Sequence, residues 1–269
     1  MERELDGVAA VSDRGLRHHR NEDAFDIAVT ALPEPDGTAV VAVVCDGVSS
    51  ATRPDEASAA AAARGKASVL AALEAGGDGR QAMHDAVLAA GEAVAGLVDG
   101  PSPDHNAPAC TYVAALCTGG IVTVSWVGDS RAYWVPDDRT SKAERLTEDD
   151  SWAERMIAVG LMSRDEAYAD ERAHAITGWL GADALEVDPH TVSFRPEEPG
   201  VVVVCTDGLW NYAESAAALA SVLPPDARTR PLGCARTLLD FALEGGGHDN
   251  ITVAVMAFPP QPVRPPSIP

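Results

Sequence analysis

At 269 residues, with 46% hydrophobic and 23% charged residues, the chain has the make-up of a globular protein large enough for one substantial core. Asp and Glu number 41 against 20 Lys and Arg, and the formal charge of -21 excludes nucleic acid and anionic membrane as main partners. No apolar run is long enough to cross a bilayer and none follows a basic start, so no membrane partner and a cytoplasmic location are expected.

The five cysteines, Cys45, Cys110, Cys117, Cys205 and Cys234, follow no zinc-ribbon or redox spacing, and the odd count fits a reducing compartment. In chain order, residues 7–12 predict a short strand. The polar stretch Ser12 to Ala24 follows, with Asp13, Arg17, His18, Arg20, Glu22 and Asp23, and it leads into a strand over residues 25–30. As a lone segment it reads as a solvated loop, yet it lies at a strand end. Residues 38–45 then form a β-branched run that reads as a strand buried on both faces, ending in Asp46-Gly47. A carboxylate there needs backbone N–H caps, a base or a cation, because burial without a partner is costly.

Alanine-rich residues around 57–63 predict a helix, and a second is expected over 80–98 beyond Gly76-Gly77-Asp78-Gly79. Residues 99–108 read as a loop. Residues 109–117 and 121–127 predict a hairpin about Thr118-Gly119-Gly120, and its second arm ends in Gly128-Asp129-Ser130-Arg131. Arg131 is read either as the partner of Asp129 or as a binding group. Residues 147–183 turn acidic and helical in short pieces, with Thr147 a cap before a helix over 151–159 and a capping box at Ser163 and Glu166. This stretch is expected to be a flap over the core.

A strand over residues 201–206 repeats the earlier design by running into Asp207-Gly208. Helices are expected over 215–223 and 231–243, then Gly245-Gly246-Gly247-His248-Asp249-Asn250 and a strand over 251–258. An Asp-Gly pair is also a common turn. The repetition in matching context points instead to carboxylates gathered at one sheet rim, the usual construction of a hard-metal site. One domain is expected over residues 1–258, with a proline-rich disordered tail over 259–269.

The ordered set Ser12-Asp13-x-Gly, Asn21-Glu22-Asp23, Asp46-Gly47, Gly128-Asp129-Ser130-Arg131, Asp207-Gly208 and Asp249-Asn250 strongly resembles the metal-dependent protein serine/threonine phosphatases, the PPM or type 2C family, in its bacterial form. The resemblance runs from Ser12 to Val255. It implies an α+β fold, a four-layer α-β-β-α sandwich of two antiparallel sheets flanked by helices. It also implies hydrolysis of phosphoserine and phosphothreonine in proteins by a hydroxide bridging two divalent metals. Phosphorylated proteins and a cognate Ser/Thr kinase system are the partners so implied.

Carried over by motif, Asp46, Asp207 and Asp249 are the catalytic metal-binding acids, the carbonyl of Gly47 holds one metal, and Glu22 acts through water. Asp129 serves a third metal, giving two or three Mg²⁺ or Mn²⁺ in all. The all-oxygen set independently favours these ions over zinc. His18 stands where the family usually has a phosphate-binding arginine, so His18, Arg17 and Arg20 are the phosphate candidates. Val48-Ser49-Ser50 replaces a glycine-containing turn, and Gly178 replaces a common flap arginine. These departures leave room for a second reading, a catalytically weak or inactive regulatory protein that binds metal or phosphoprotein. Cys45 and Cys205 are not expected to act as nucleophiles.

Overall fold

The computed structural model describes residues 1–32, 37–98, 106–184 and 186–260. Part of the expected loop over 99–108, Leu185, and the tail beyond residue 260 lie outside them. The chain opens with β1 (Glu2–Leu5), β2 (Val8–Asp13), β3 (Ala24–Ala31) and β4 (Thr38–Cys45), then α1 (Pro54–Glu74) and α2 (Gly79–Ala95). Next come β5 (Ala109–Cys110), β6 (Tyr112–Thr118), β7 (Ile121–Val127), β8 (Arg131–Pro136), β9 (Glu144–Arg145), α3 (Trp152–Ala158) and α4 (Arg164–Tyr168). The remainder is β10 (Leu180–Gly181), β11 (His190–Phe194), β12 (Gly200–Cys205), α5 (Asp207–Trp210), α6 (Ala216–Val222), α7 (Pro231–Glu244) and β13 (Ile251–Phe258).

Two antiparallel sheets result, ordered β1-β2-β13-β12-β8-β9 and β11-β7-β6-β4-β3, while β5 and β10 pair on their own. The period-2 alternation of a strand explains why the apolar runs are unbroken. On β4, Val40, Ala42 and Val44 enter the core between the sheets with Val202, Val204, Ala254 and Met256. Val41, Val43 and Cys45 face the other way, against Ala57, Ala61, Met83 and Val87 of α1 and α2. On the second outer face, Val201, Val203, Val253 and Val255 meet Leu219 of α6 and Leu238 of α7. Each fully buried aliphatic side chain contributes about 1.5–3 kcal/mol relative to exposure, so sheets apolar on both faces demand helices on both outsides. This is the expected α-β-β-α sandwich.

Local chemistry sets the boundaries. Pro54 opens α1 with Asp55 and Glu56 in its first turn, where a rigid φ and negative charge suit the helix start. Asp78 caps α2 by accepting from Gln81 N at 2.9 Å. That helix stops at Ala95, short of the expected 98. The expected arm over 109–117 breaks at Thr111, whose N–H donates to the Asp46 carbonyl at 2.8 Å and whose hydroxyl accepts from Asp46 N at 3.1 Å. Thr147 is not a helix cap: its hydroxyl accepts from Ala132 N, and Ser151 caps α3 instead. The capping box of Ser163 and Glu166 is formed at α4. Between residues 147 and 183, α3 and α4 enclose a small core of Ala153, Ala167 and Ala173.

Tyr112 is fully buried against α1, and its Oη has no hydrogen-bond partner. A buried polar group left unpaired costs about 1–3 kcal/mol. Tyr112→Phe is therefore expected to raise the stability by about 1 kcal/mol, read as a higher urea midpoint with an unchanged slope. A lower midpoint would mean that the hydroxyl is satisfied in solution.

Candidate functional site

The carboxylates converge because both sheets end at the same rim. Asp46 follows β4, Asp207 follows β12, Asp249 precedes β13, and Asp129 sits in the turn between β7 and β8. Hydrogen bonds tie these ends across the sandwich. Asn250 Oδ1 accepts from Glu22 N at 2.7 Å, and its Nδ2 donates to the carbonyls of Arg14 and Arg20 at 2.9 and 3.1 Å. Thr206 Oγ1 donates to Asp23 Oδ2 at 2.9 Å and accepts from Thr252 N at 3.0 Å. Trp210 Nε1 donates to the Asp129 carbonyl at 2.9 Å.

Two glycines make the convergence sterically possible. A Cβ on Gly47 would stand 2.6 Å from the carbonyl oxygens of both Glu22 and Pro54, and one on Gly208 would run into the Asn250 carbonyl. Neither position admits a side chain without moving backbone.

Burial, then the charges of Asp23, Asp207, Asp129 and Asp249, push the Asp46 carboxyl well above the ordinary range. Burial also raises Asp207 to about 6, with repulsion from Asp249 adding to it. Burial raises Asp23 to about 7 and Asp129 to about 8, each with repulsion from Asp207 adding to the shift. Among the described residues, no three His, Cys, Asp or Glu side chains are already closed into a shell that could hold an ion. Two oxygens are nevertheless left over: Asp207 Oδ1 and Asp23 Oδ1 are buried without any hydrogen-bond partner. Orphaned buried oxygens in an all-oxygen cluster fit a hard divalent cation.

A cavity of about 550 Å³ adjoins the rim, lined by Arg17, His18, His19, Arg20, Glu22, Ser49 and His248. His18 Nε2 lies 3.2 Å from Asp249 Oδ1, and Arg17 Nη2 lies 2.9 Å from His248 Nε2. Arg20 pairs with Glu22 at 2.7 Å and reaches Asp55 at 3.4 Å. Burial works to raise Glu22, but the hydrogen bonds from Ser49, at 2.6 Å, and Arg20 outweigh it and hold the carboxyl below its usual value. All three phosphate candidates thus border one cavity. The thiols of Cys45 and Cys205 are buried, and burial raises both well beyond their usual range, which leaves them inert.

Arg131 departs from expectation. It is fully buried and forks onto Asp149, not Asp129, with Nε–Oδ1 at 2.9 Å and Nη2–Oδ2 at 2.6 Å. Its guanidinium also stacks on Trp210, 3.6 Å from the ring centroid. Sequence reasoning overlooked Asp23 as a member of the acid cluster, although it stands beside Glu22 immediately before β3 and is buried as Glu22 is. It also overlooked Asn250 and Thr206 as ties, because neither announces a partner more than 40 residues away.

The protein phosphatase 2C family model matches residues 14–230. The serine/threonine protein phosphatase PstP of Mycobacterium tuberculosis is 29% identical over 254 residues, covering 92% of this chain and 44% of PstP. The chain therefore spans less than half the length of that relative. The crystal structure of the Mycobacterium tuberculosis serine/threonine phosphatase PstP/Ppp superposes with a TM-score of 0.71 at 27% identity, over 95% of this chain and 98% of that one. The catalytic domain of PstP in complex with two manganese ions gives 0.67 at 26% identity, over 95% and 97%.

The raised carboxyl values set a pH dependence. Without a cation, Asp207, Asp23 and Asp129 keep protons in the folded protein that the unfolded chain releases near pH 4, so stability falls as pH rises from about 4 to about 8. In chelator the urea midpoint should drop from pH 5 to pH 8, and added Mn²⁺ should restore it most at pH 8. A midpoint indifferent to pH and to manganese would contradict this account of the cluster.

Proposed function

The chain belongs to the protein phosphatase 2C family, and from that premise we propose that it hydrolyses phosphoserine and phosphothreonine in proteins with the help of two or three Mg²⁺ or Mn²⁺ ions. The observation that carries the reading is the pair of partnerless buried oxygens on Asp207 and Asp23, set within acids that raise one another's pKa values. Asp46, the Gly47 carbonyl, Asp207 and Asp249 would hold two ions, with Glu22 acting through water, Asp129 holding a third, and Asp23 supporting the set. When bound, the ions supply neutralisation of a phosphate dianion and activation of the water that attacks it.

The chain's own residues do the rest. Arg20 and Arg17 bring fixed positive charge, and His18 a titratable one, to a cavity in a protein of formal charge -21. Ser49 and Arg20 keep Glu22 ionised and oriented. Asn250 holds the 14–22 loop against β13, so the cationic groups keep station beside the acids. We read residues 1–258 as the phosphatase domain and residues 147–183 as its flap. Phosphorylated proteins are its substrates and a cognate Ser/Thr kinase its counterpart. We place both in the cytoplasm, in bacterial signalling, where a chain with five thiols stays reduced.

A second reading, a weak or inactive regulatory protein, draws on one observation: Arg20 is engaged by Glu22 and His18 by Asp249, so neither stands ready for phosphate. Hydrolysis of p-nitrophenyl phosphate decides between the two. Turnover should require Mn²⁺ or Mg²⁺, and Asp207→Asn should reduce it by more than about 100-fold, beyond what outer-shell changes cost. Turnover that persists in chelator, or none with either ion, would sink the reading as a metal-dependent phosphatase. In an Arg17→Ala, His18→Ala and Arg20→Ala series, the true phosphate ligand should raise KM by about 10-fold or more, as loss of a hydrogen bond to a charged group does. Three unchanged KM values would remove all three from that role.

A further inference from the structure

A second cavity of about 550 Å³ opens on the other side of the turn that follows Gly47. Ser49 faces the cationic cavity, whereas its neighbours Val48, Ser50 and Ala51 line the second one. Ile176, Trp179 and Asp183, from the last turn of the 147–183 segment, close the far side. Consecutive residues of an extended peptide are about 3.3–3.6 Å apart. Because residues 48–51 line both cavities, a substrate with its phosphate in the first has the second within reach of a neighbouring side chain.

Val48, Ala51, Ile176 and Trp179 give this cavity apolar walls, and the carboxylate of Asp183 is the ionisable group on its lining. Trp179 Nε1 donates to Asp183 Oδ1 at 3.0 Å, which fixes indole and carboxylate as one unit. An aliphatic side chain would fill the walls but strip water from the carboxylate without compensation. A lysine or arginine satisfies both parts, laying its stem on the walls and its charge against the indole and the acid. The formal charge of -21 also disfavours acidic flanks.

We propose that this cavity reads the substrate residue next to the phosphorylated one and selects lysine or arginine there, an inference that rests on the phosphatase reading. Asp183 then acts as a specificity residue without touching the reacting atoms. The test uses phosphothreonine peptides that differ only in Arg, Leu or Glu beside the phosphoresidue. Their kcat/KM values are measured with Mn²⁺, and the binding of non-hydrolysable phosphonate analogues is followed by fluorescence anisotropy.

Arg should exceed Glu by about fivefold in both readouts, the scale of a partly exposed ion pair, and the ratio should shrink in high salt. Asp183→Asn keeps an acceptor for the indole, so it should bring the ratio near one and leave p-nitrophenyl phosphate turnover unchanged. Equal Arg and Glu peptides, a Leu peptide that outperforms Arg, or an Asp183→Asn ratio that does not move would each overturn the proposal. Normal p-nitrophenyl phosphate turnover without an Arg preference defeats this inference alone. An Arg preference in binding without any turnover defeats the phosphatase reading and sustains the selectivity.

Discussion

Repulsion among buried carboxylates at a shared sheet rim is the constraint on which the rest of the structure depends. The charges of Asp23, Asp207, Asp129 and Asp249 all push the Asp46 carboxyl up on top of the cost of its burial, and Asp207 does the same to Asp23 and Asp129. A protein that selects for stability alone would not gather them. The arrangement persists because the sandwich over-determines it: two sheets with apolar faces on both sides leave their strand ends nowhere else to go. Local strain is then offset by burial elsewhere.

The ties that hold the rim are polar and long-range. Asn250 engages three backbone groups of the 14–22 loop, and Thr206 bridges β13 and Asp23. Arg131 extends the frame toward the 147–183 segment. Its fork onto buried Asp149 and its stack on Trp210 connect the Asp129 turn, α5 and the segment leading to α3. From Asp149 the network continues through Arg145 to Glu154, where Arg164 and Tyr168 of α4 converge. Removal of one member of such a buried pair costs about 3–5 kcal/mol, because the other charge stays behind. The 147–183 segment is thereby held to the same turn that carries Asp129.

How much of this was legible in the sequence depends on the range of the interaction. β4, β12 and β13 are plain from their β-branched runs, and the acids at their ends from the glycine turns that follow or precede them. The capping box at Ser163 is equally local. Thr147 misled because a threonine before a helical stretch resembles a cap, whereas its hydroxyl serves a strand N–H 15 residues back. Asp129, the acid nearest Arg131 in sequence, was one of its two readings, while the fold supplies Asp149 for a bidentate fork. β1 carries no apolar run, since its residues are mostly exposed at a sheet edge, and so it left no periodic signal. Asp23 was in view throughout, but pattern alone does not separate two adjacent acids.

The cationic cavity and the acid rim are not independent sites. Arg20 is held by Glu22 and His18 by Asp249, so two of the three groups proposed for phosphate are anchored by acids proposed for metal. Ser49, on the turn after Gly47, hydrogen-bonds Glu22 as well, and that turn also forms a wall of the second cavity. The departures from the family pattern at His18 and at Val48-Ser49-Ser50 therefore fall on two sides of Glu22. A histidine that pairs with Asp249 and a serine that pairs with Glu22 substitute local hydrogen bonds for the fixed charge of an arginine and the freedom of a glycine. The acid cluster is kept intact while the groups around it differ, which places the individuality of this chain in the two cavities beside the acids.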